Sequence, residues 1–589
     1  MFPTNSQLLA LILLPTLIWA LLLVIWRILR GVPEAQRPLN SHWLIRFVDR
    51  LAILRRQEDI SYKEQKAMGI ISILVALITF IATAKMIILL ISGRIPEDIF
   101  RVITPVMHIP LYVDALSLFF ILVINIIALA ASWNAFGYLK DELTANRTVG
   151  LYRGPLFFHV LMNLFHFTML LAPVMDNLIG LWIAIESTTL VSALLVAFPN
   201  TERSWEAAWK YLLITSTGII LAFMGTVFLI HGANAAGLPP ASMNWSTIMQ
   251  HTAELQGMKH FVLLAFFFAL AGYGVKAGLA PLHTWLPDAH GEAAPPVSAL
   301  FSGVLLKAAF YAILRFVILT DAVLGAEKKW LISYTLMSAG LFSLVMAVPF
   351  ILNRKNHFKR VLAYHSLEHM GIILFGTGIG GAVALFGALF HVLNHAITKA
   401  LMFLAYGNVL RKIPLPDNDE TGSRSEPTGV LYLMPFTGLL LALGGLALVG
   451  TPPFNIFLSQ WMILWGSISL WQTSAISSPL GYPLDPILLG LAILTFIIAT
   501  MFIYFGLVQH LAHILLDDST KQRATNSDQR AASQSPSTES PDNHHRKLEP
   551  RYDLIPLWIL MSLALILGIS VLPPLAQLIQ KSVEIFSAY

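Results

Sequence analysis

The chain is a succession of apolar runs of about 20 residues, the length at which an α-helix crosses the roughly 30 Å apolar core of a bilayer. Such runs fall near 6–28, 68–92, 111–134, 155–173, 177–198, 208–231, 260–283, 295–319, 330–352, 361–378, 381–408, 430–450, 454–472, 486–515 and 554–577. They predict an all-α polytopic membrane protein with about 14–15 transmembrane helices. With 56% hydrophobic and only 12% charged residues and a mean hydropathy of +0.70, the 589 residues cannot be read as soluble domains. The lipid bilayer is therefore the first partner the sequence implies.

Charge follows topology. Basic residues gather between runs, as Arg46, Arg50, Arg55 and Arg56, as Arg354, Lys355, Lys359 and Arg360, and as Arg411 and Lys412. The positive-inside tendency puts these loops in the cytoplasm. The formal net charge of +5 thus reflects membrane orientation, and no basic stripe with interleaved aromatics points to nucleic acid. The first run, Leu8 to Trp26, has no Lys or Arg before it and is followed by Arg27 and Arg30, which reads as a retained helix with its N-terminus outside. Cysteine is absent, so this chain carries no disulfide and no cysteine-ligated iron–sulfur cluster. No cofactor is expected, and if electrons move they move in a partner. No P-loop is present to couple ATP directly.

The organisation expected is a pair of N-terminal helices with a cytoplasmic loop (1–110), a core (111–472), a C-terminal helix region (473–516), a polar disordered tether (517–552) and a final transmembrane helix (553–589). Counting spans puts the tether outside, although the charge rule is weak for such a segment.

Function is sought among ionisable residues inside apolar runs, because each costs several kcal/mol there. The run from Gly272 to Phe316 holds Lys276 and Lys307, and Lys276 lies among the breakers Gly272, Gly274, Gly278 and Pro281. A broken helix at membrane depth is tolerated only against protein or a wet cavity, so a cation beside one marks an ion path. The same stretch carries His283 and Asp288 as secondary candidates. Glu186 stands mid-run and needs a cationic partner from another helix. Asp114 opens the third run and reads equally as a dipole-complementing end group. Lys210 lies near an interface, where it can snorkel.

Further on, His365, Glu368 and His369 share one helical face, and His391, His395 and Lys399 follow one another at i+4 steps. Histidines so spaced can ligate zinc, but Lys399 on the same face opposes a dication, and no metal is expected. The segment GTPPFNIFLSQW, from Gly450 to Trp461, whose paired prolines begin a new span, reads as a tight turn between two helices.

Taken in order, VDALSLFF, the mid-run Glu186, GVKAGLAPLHTWLPDAHGEAAPPVSAL, SLEHMG, HVLNHAITKALMF and GTPPF resemble the antiporter-like subunits shared by respiratory complex I, Mrp cation/proton antiporters and membrane-bound hydrogenases. Within that superfamily SLEHMG and the histidine–lysine ladder look most like component F of hydrogenase-4-type complexes. The resemblance implies two inverted five-helix repeats, each with one discontinuous helix. It implies a role translocating protons, with Na⁺/H⁺ exchange left open, in which Glu186 and Lys276 form an ion pair, Lys307 bridges to the centre, Lys399 is the second-half gate, and His365, His369, His391 and His395 supply the wet axis between them. Partners implied are other membrane subunits and soluble electron-transfer or hydrogenase subunits, in a bacterial or archaeal cell membrane. A Mrp-type antiporter and the membrane half of an energy-coupled inorganic-carbon uptake complex are the alternatives. The stretch between the first two helices is longer than the family pattern, the tether departs from it, and no clear lateral amphipathic helix follows.

Overall fold

The computed structural model describes residues 5–29, 62–94, 102–103, 110–144, 154–238, 243–325, 329–413, 426–474, 485–517, 549 and 551–587. The arginine cluster from Arg46 to Arg56 and nearly all of the tether lie outside the described residues. Helix dominates; the strands Val102–Ile103 and Pro110–Leu111 form one short antiparallel ladder.

Three helices lead: α1 (Asn5–Leu29), α2 (Tyr62–Ile91) and α3 (Ala115–Thr144). A first set of five crossings follows: α4 (Gly154–Leu171), α5 (Leu178–Val196), α6 (Glu202–Ala235), the pair α7 (Lys259–Lys276) and α8 (Trp285–Glu292), and the pair α9 (Pro295–Leu300) and α10 (Leu306–Leu324), joined by a π-helical turn at Phe301–Leu305. A second set repeats the plan: α11 (Lys329–Leu352), α12 (Phe358–Ile379), α13 (Gly381–Lys412), the pair α14 (Pro435–Leu448) and α15 (Asn455–Ser474), and α16 (Pro486–Leu516). Helix α17 (Arg551–Ile569) closes the bundle and α18 (Pro573–Ser587) follows it. Among the described residues, twelve helices are long and apolar enough to cross a membrane alone. Helix α12 is long enough but carries the His/Glu cluster, and α14 and α15 cross together.

That last point corrects the reading of GTPPF. Gly444 abuts Met402 and Leu401, Asn455 bonds to Thr398 and Asn394, Ser459 to His391, and Gly387 and Ala384 meet Ile463 and Gly466. Contacts therefore step steadily down α13 while the chain advances through α14 and α15. The two are one crossing interrupted at 449–454, not two helices joined by a turn. Likewise α7 and α8 descend α6 as one crossing, from Phe261 on Gly232 and Ala265 on Gly225 to Asp288 on Lys210. Each set has five crossings, an odd number, so the second enters from the opposite side: the repeats are inverted.

Both interruptions end in the same cap. After α7, Gly278 (φ +74°) donates to the Val275 carbonyl and Leu279 to Gly274; after α14, Gly450 (φ +75°) donates to Ala447 and Thr451 to Leu446. A residue with positive φ closing the last turn with two such bonds is a Schellman stop, and glycine adopts it without Cβ strain. The small residues around it let helices touch: a Cβ on Gly272 would lie 2.3 Å from the Ala222 nitrogen.

Losing one crossing also moves the tether. Its described ends, Asp517 and Glu549, lie against Gly429 and on the N-terminal amides of Phe436 and Thr437. Arg354 bonds Gln509 near the end of α16, and Arg411 meets Asp553 near the start of α17. Both ends thus lie on the same side of the bundle as Arg354 and Arg411, the side that the positive-inside tendency makes cytoplasmic, whereas counting spans pointed to the other. The final span, expected to run to 577, stops at Ile569, because Pro573 and Pro574 restart the chain as the separate helix α18.

Candidate functional site

Helix α5 starts under an Asn177 cap, whose side chain accepts from Ile179 and Gly180 N–H at 3.0 Å each, and this fixes where Glu186 lies. Glu186 accepts from Ser216 Oγ at 2.8 Å and Thr189 Oγ1 at 3.0 Å. Lys276, the last residue of α7, is fully buried; its Nζ donates to the Ile185 carbonyl at 2.6 Å and to Thr189 Oγ1. Glu186 and Lys276 therefore meet through the Thr189 hydroxyl instead of as a direct pair. Ending α7 at Lys276 also sets its ammonium near the negative end of that half-helix.

Lys307 sits one residue past the start of α10, 1% exposed. Its Nζ donates to the Ser302 carbonyl, which the π turn leaves accessible, and lies 2.8 Å from His395 Nδ1. From there imidazoles follow in series. His395 and His369 rings are 4.6 Å apart, His369 Nδ1 is 3.0 Å from His391 Nε2, and His391 Nδ1 is 2.9 Å from Ser459 Oγ on α15. Ser302 and Ser366 hydroxyls, 2.7 Å apart, tie the π turn to α12. Lys399, fully buried, donates to the Leu362 carbonyl and lies 5.1 Å above the Phe403 ring. His365 Nδ1 pairs with Glu368 Oε2 at 2.7 Å. Such a line of buried donors and acceptors can pass charge as protons exchanged between neighbouring nitrogens and oxygens, or as a cation displacing them.

The secondary candidates separate. Asp114 is not on this line: Arg315 of α10 holds both its oxygens at 2.7 and 2.8 Å, while Asp114 Oδ1 also caps Ser117 N–H. Arg315 further stacks over Trp245, with 4.4 Å to the ring, and bonds the Tyr311 hydroxyl. Lys210 and Asp288 meet at 3.2 Å at the cytoplasmic surface, with Glu206 2.6 Å from Lys210 and Arg360 2.5 Å from Asp288. His283 lies in the first interruption, its ring beside Phe350 and Tyr364, with Nδ1 buried and unpartnered.

Sequence reasoning missed several residues. Ser459, read as part of a turn, is the terminus of the imidazole series. His290, passed over in the stretch that gave Lys276, His283 and Asp288, is fully buried on the Phe403 ring with both nitrogens unpartnered. Arg315 was hidden at the end of an apolar run.

His365, Glu368 and His369 place one ligand atom each within 4.8 Å of one another. His365 Nδ1 is engaged by Glu368 and His369 Nδ1 by His391, while the Nε2 of each ring is buried without a hydrogen-bond partner. Lys399 reaches the same layer at Leu362, and its ammonium opposes a dication there.

With the geometry in place, comparison with known proteins is informative. Residues 175–479 match the family described as NADH:quinone oxidoreductase/Mrp antiporter, transmembrane. A hydrogenase-4 component F homolog of Methylacidiphilum infernorum is 38% identical over 60% of this chain and 71% of its own. Hydrogenase-4 component B of Escherichia coli is 31% identical over 66% of this chain and 56% of its own. A solved chain of the Mrp complex from Dietzia shares the fold, with a TM-score of 0.69, 16% identity, and coverage of 99% of this chain and 98% of that one. The matched segment takes in α5 with Glu186, both interrupted helices and the whole lysine–histidine line, and this multi-pass chain belongs to the antiporter-like transmembrane family of NADH:quinone oxidoreductases and Mrp antiporters.

Proposed function

We propose that the chain is the proton-transferring membrane subunit of a multi-subunit, energy-converting complex of the hydrogenase-4 or complex I type. The supporting observation is the buried series Lys307–His395–His369–His391–Ser459, in a chain that also buries Lys276 and Lys399 completely. Its partners would be further membrane subunits and soluble electron-transfer or hydrogenase subunits, the latter supplying the driving reaction.

The mechanism follows from the Thr189 bridge. A proton leaving Lys276 can pass through the Thr189 hydroxyl to the Glu186 carboxylate, and its return restores the charges. Charges about 4 Å apart at an effective dielectric of about 20 interact by about 4 kcal/mol. Moving one charge through about 100 mV costs about 2.3 kcal/mol. The energies are comparable, so switching this pair is able to couple to uphill proton transfer along the series. Soluble subunits would act by changing which state of the pair is favoured.

The test uses the purified complex in vesicles, with proton uptake followed by a pH-sensitive dye. Lys276→Ala and Lys399→Ala should each abolish driven uptake while the complex still assembles. Uptake equal to wild type in both would leave the chain a membrane anchor. Replacing H⁺ gradients with Na⁺ gradients in the same vesicles decides between proton transfer and cation exchange.

A further inference from the structure

The short helix α8 touches the surroundings of two buried lysines that are far apart in the sequence. At its first residue, the fully buried Trp285 donates from Nε1 to the Val275 carbonyl at 2.9 Å, and its ring lies 4.8 Å from that of Tyr211 on α6. Val275 immediately precedes Lys276, so this bond holds the end of α7 that carries the first lysine.

At the other end the partner belongs to the second repeat. Lys359, in the first turn of α12 and only 7% exposed, donates from Nζ to the carbonyls of Gly291 and Ala293 at 3.1 and 2.7 Å. An ammonium there closes the last turn of α8 and complements its negative end. Within one helical turn of Lys359, the Leu362 carbonyl takes the Lys399 ammonium. The same stretch of α12 is therefore held by α8 on one side and holds Lys399 on the other.

The segment leading into α8 leans the same way. Ala280 N–H donates to Ser343 Oγ of α11 at 3.0 Å, and the His283 ring lies beside Phe350 of α11 and Tyr364 of α12. By contrast α7 packs on α6 through Gly272 and Gly225. The first interruption thus falls where the chain passes from one repeat onto the other. Two links then join α8 to α12. Asp288–Arg360 is partly exposed, with 20% and 46% of the side chains accessible, and a pair so placed contributes little. The Lys359 bonds are buried and charge-assisted, so they carry the joint.

We propose that α8 is a strut between the repeats and that Trp285 and Lys359 are positioning residues, one at each joint, which keep the hydrogen-bond surroundings of Lys276 and Lys399 in register. Rigid elements packed at both ends transmit such coupling. A shift of α7 at Lys276 passes through Trp285 into α8, and through Lys359 into the turn of α12 that supplies Leu362. The strut itself moves no proton. It rests on proton transfer by the lysine–histidine line and adds how the two repeats act together.

The chain has no cysteine, so a reversible joint can be added to it. A Cβ on Gly291 would lie 3.6 Å from Arg360 Cγ, a spacing that a disulfide closes. The reference is Gly291→Cys/Arg360→Cys in the whole purified complex in vesicles, with potassium and valinomycin imposing a potential and a dye reading proton uptake. Lys359→Met is added to remove the ammonium, or Trp285→Phe to remove the indole N–H while keeping a ring. Under reducing conditions each should lower uptake about tenfold, within the usual range of coupling between sites. Oxidation should restore uptake with Lys359→Met, whose joint the disulfide replaces, and leave Trp285→Phe impaired. Recovery in both would mean general stiffening and recovery in neither would mean that Lys359 acts by its charge alone; either result overturns the strut. Each comparison uses one preparation before and after oxidation, with wild-type complex oxidised in parallel to control for partner thiols. If a variant assembles only when oxidised, assembly replaces uptake as the readout, with the same outcomes. Lys399→Ala is run beside them. Wild-type uptake there would sink the transport reading itself, whereas loss there with no effect of Lys359→Met and Trp285→Phe would sink the strut alone.

Discussion

Lys276 and Leu448 occupy the same place in two copies of one motif: each ends a half-helix two residues before a glycine with φ near +75° and the same pair of closing bonds. The backbone is repeated and the chemistry is not. In the first repeat the cation is carried by the interrupted helix itself, at the negative end of its half-dipole. In the second that end is apolar, and the cation is Lys399 on the unbroken α13, while the interruption contributes Asn455 and Ser459 instead. An inverted repeat therefore supplies two breaks of one backbone design, with the charge placed differently at each.

The largest effect expected is one the comparison must survive. Asp114 and Arg315 lie on neither break and fasten α3 to α10. Arg315→Leu leaves a buried carboxylate unpaired and should cost about 3–5 kcal/mol of stability, read as a drop in thermal midpoint, while the complexes that do assemble transport normally. Loss of transport in stable complexes would place this pair in the path. Next in size, Leu448→Lys gives the second break the chemistry of the first without a counterpart of Thr189 and Glu186, and should destabilise by about 2.5–3.5 kcal/mol. An unchanged midpoint would mean the second break already holds a partner for a cation.

Smaller again is Asn455→Ala. Asn455 and Asn394 exchange side-chain bonds to each other's carbonyls at 2.8 and 3.2 Å, latching the second break to α13, and removing one side should cost about 1–3 kcal/mol. The smallest effect lies at the cytoplasmic entrance to α12. Burial pushes the Glu426 carboxyl up, but His357 at 2.9 Å and the Phe358 N–H outweigh it and hold the group below its ordinary value. A lowered folded value gives stability that is full above about pH 4.3, the unfolded value, and is lost as the pH falls through the lower one. Glu426→Gln should therefore flatten the acid limb of thermal midpoint against pH by about 1 kcal/mol at most. An unaltered limb would remove Glu426 from the clamp.

Much of this was legible in the sequence because a buried lysine in an apolar run has few innocent explanations. Lys276, Lys307 and the His391–His395–Lys399 ladder stood out by that test, and helical spacing alone put the histidines on one face. The second interruption was not legible. Two proline-flanked apolar runs of 14 and 20 residues look like two helices, and only contacts stepping down α13 show one. That single difference in count also changes the side to which counting spans assigns the tether. Arg315 escaped because its partner Asp114 is 201 residues away, and Thr189 because a hydroxyl in a helix ordinarily bonds its own backbone.

The residue on which both halves depend is Lys307, since it touches the π turn and the imidazole series together. The most direct measurement is proton uptake by vesicles of the assembled complex carrying Lys307→Ala, under an imposed membrane potential. Uptake should fall by about a hundredfold, the order expected when a positioned proton carrier is removed. Uptake at the wild-type rate would contradict a continuous lysine–histidine path through this chain.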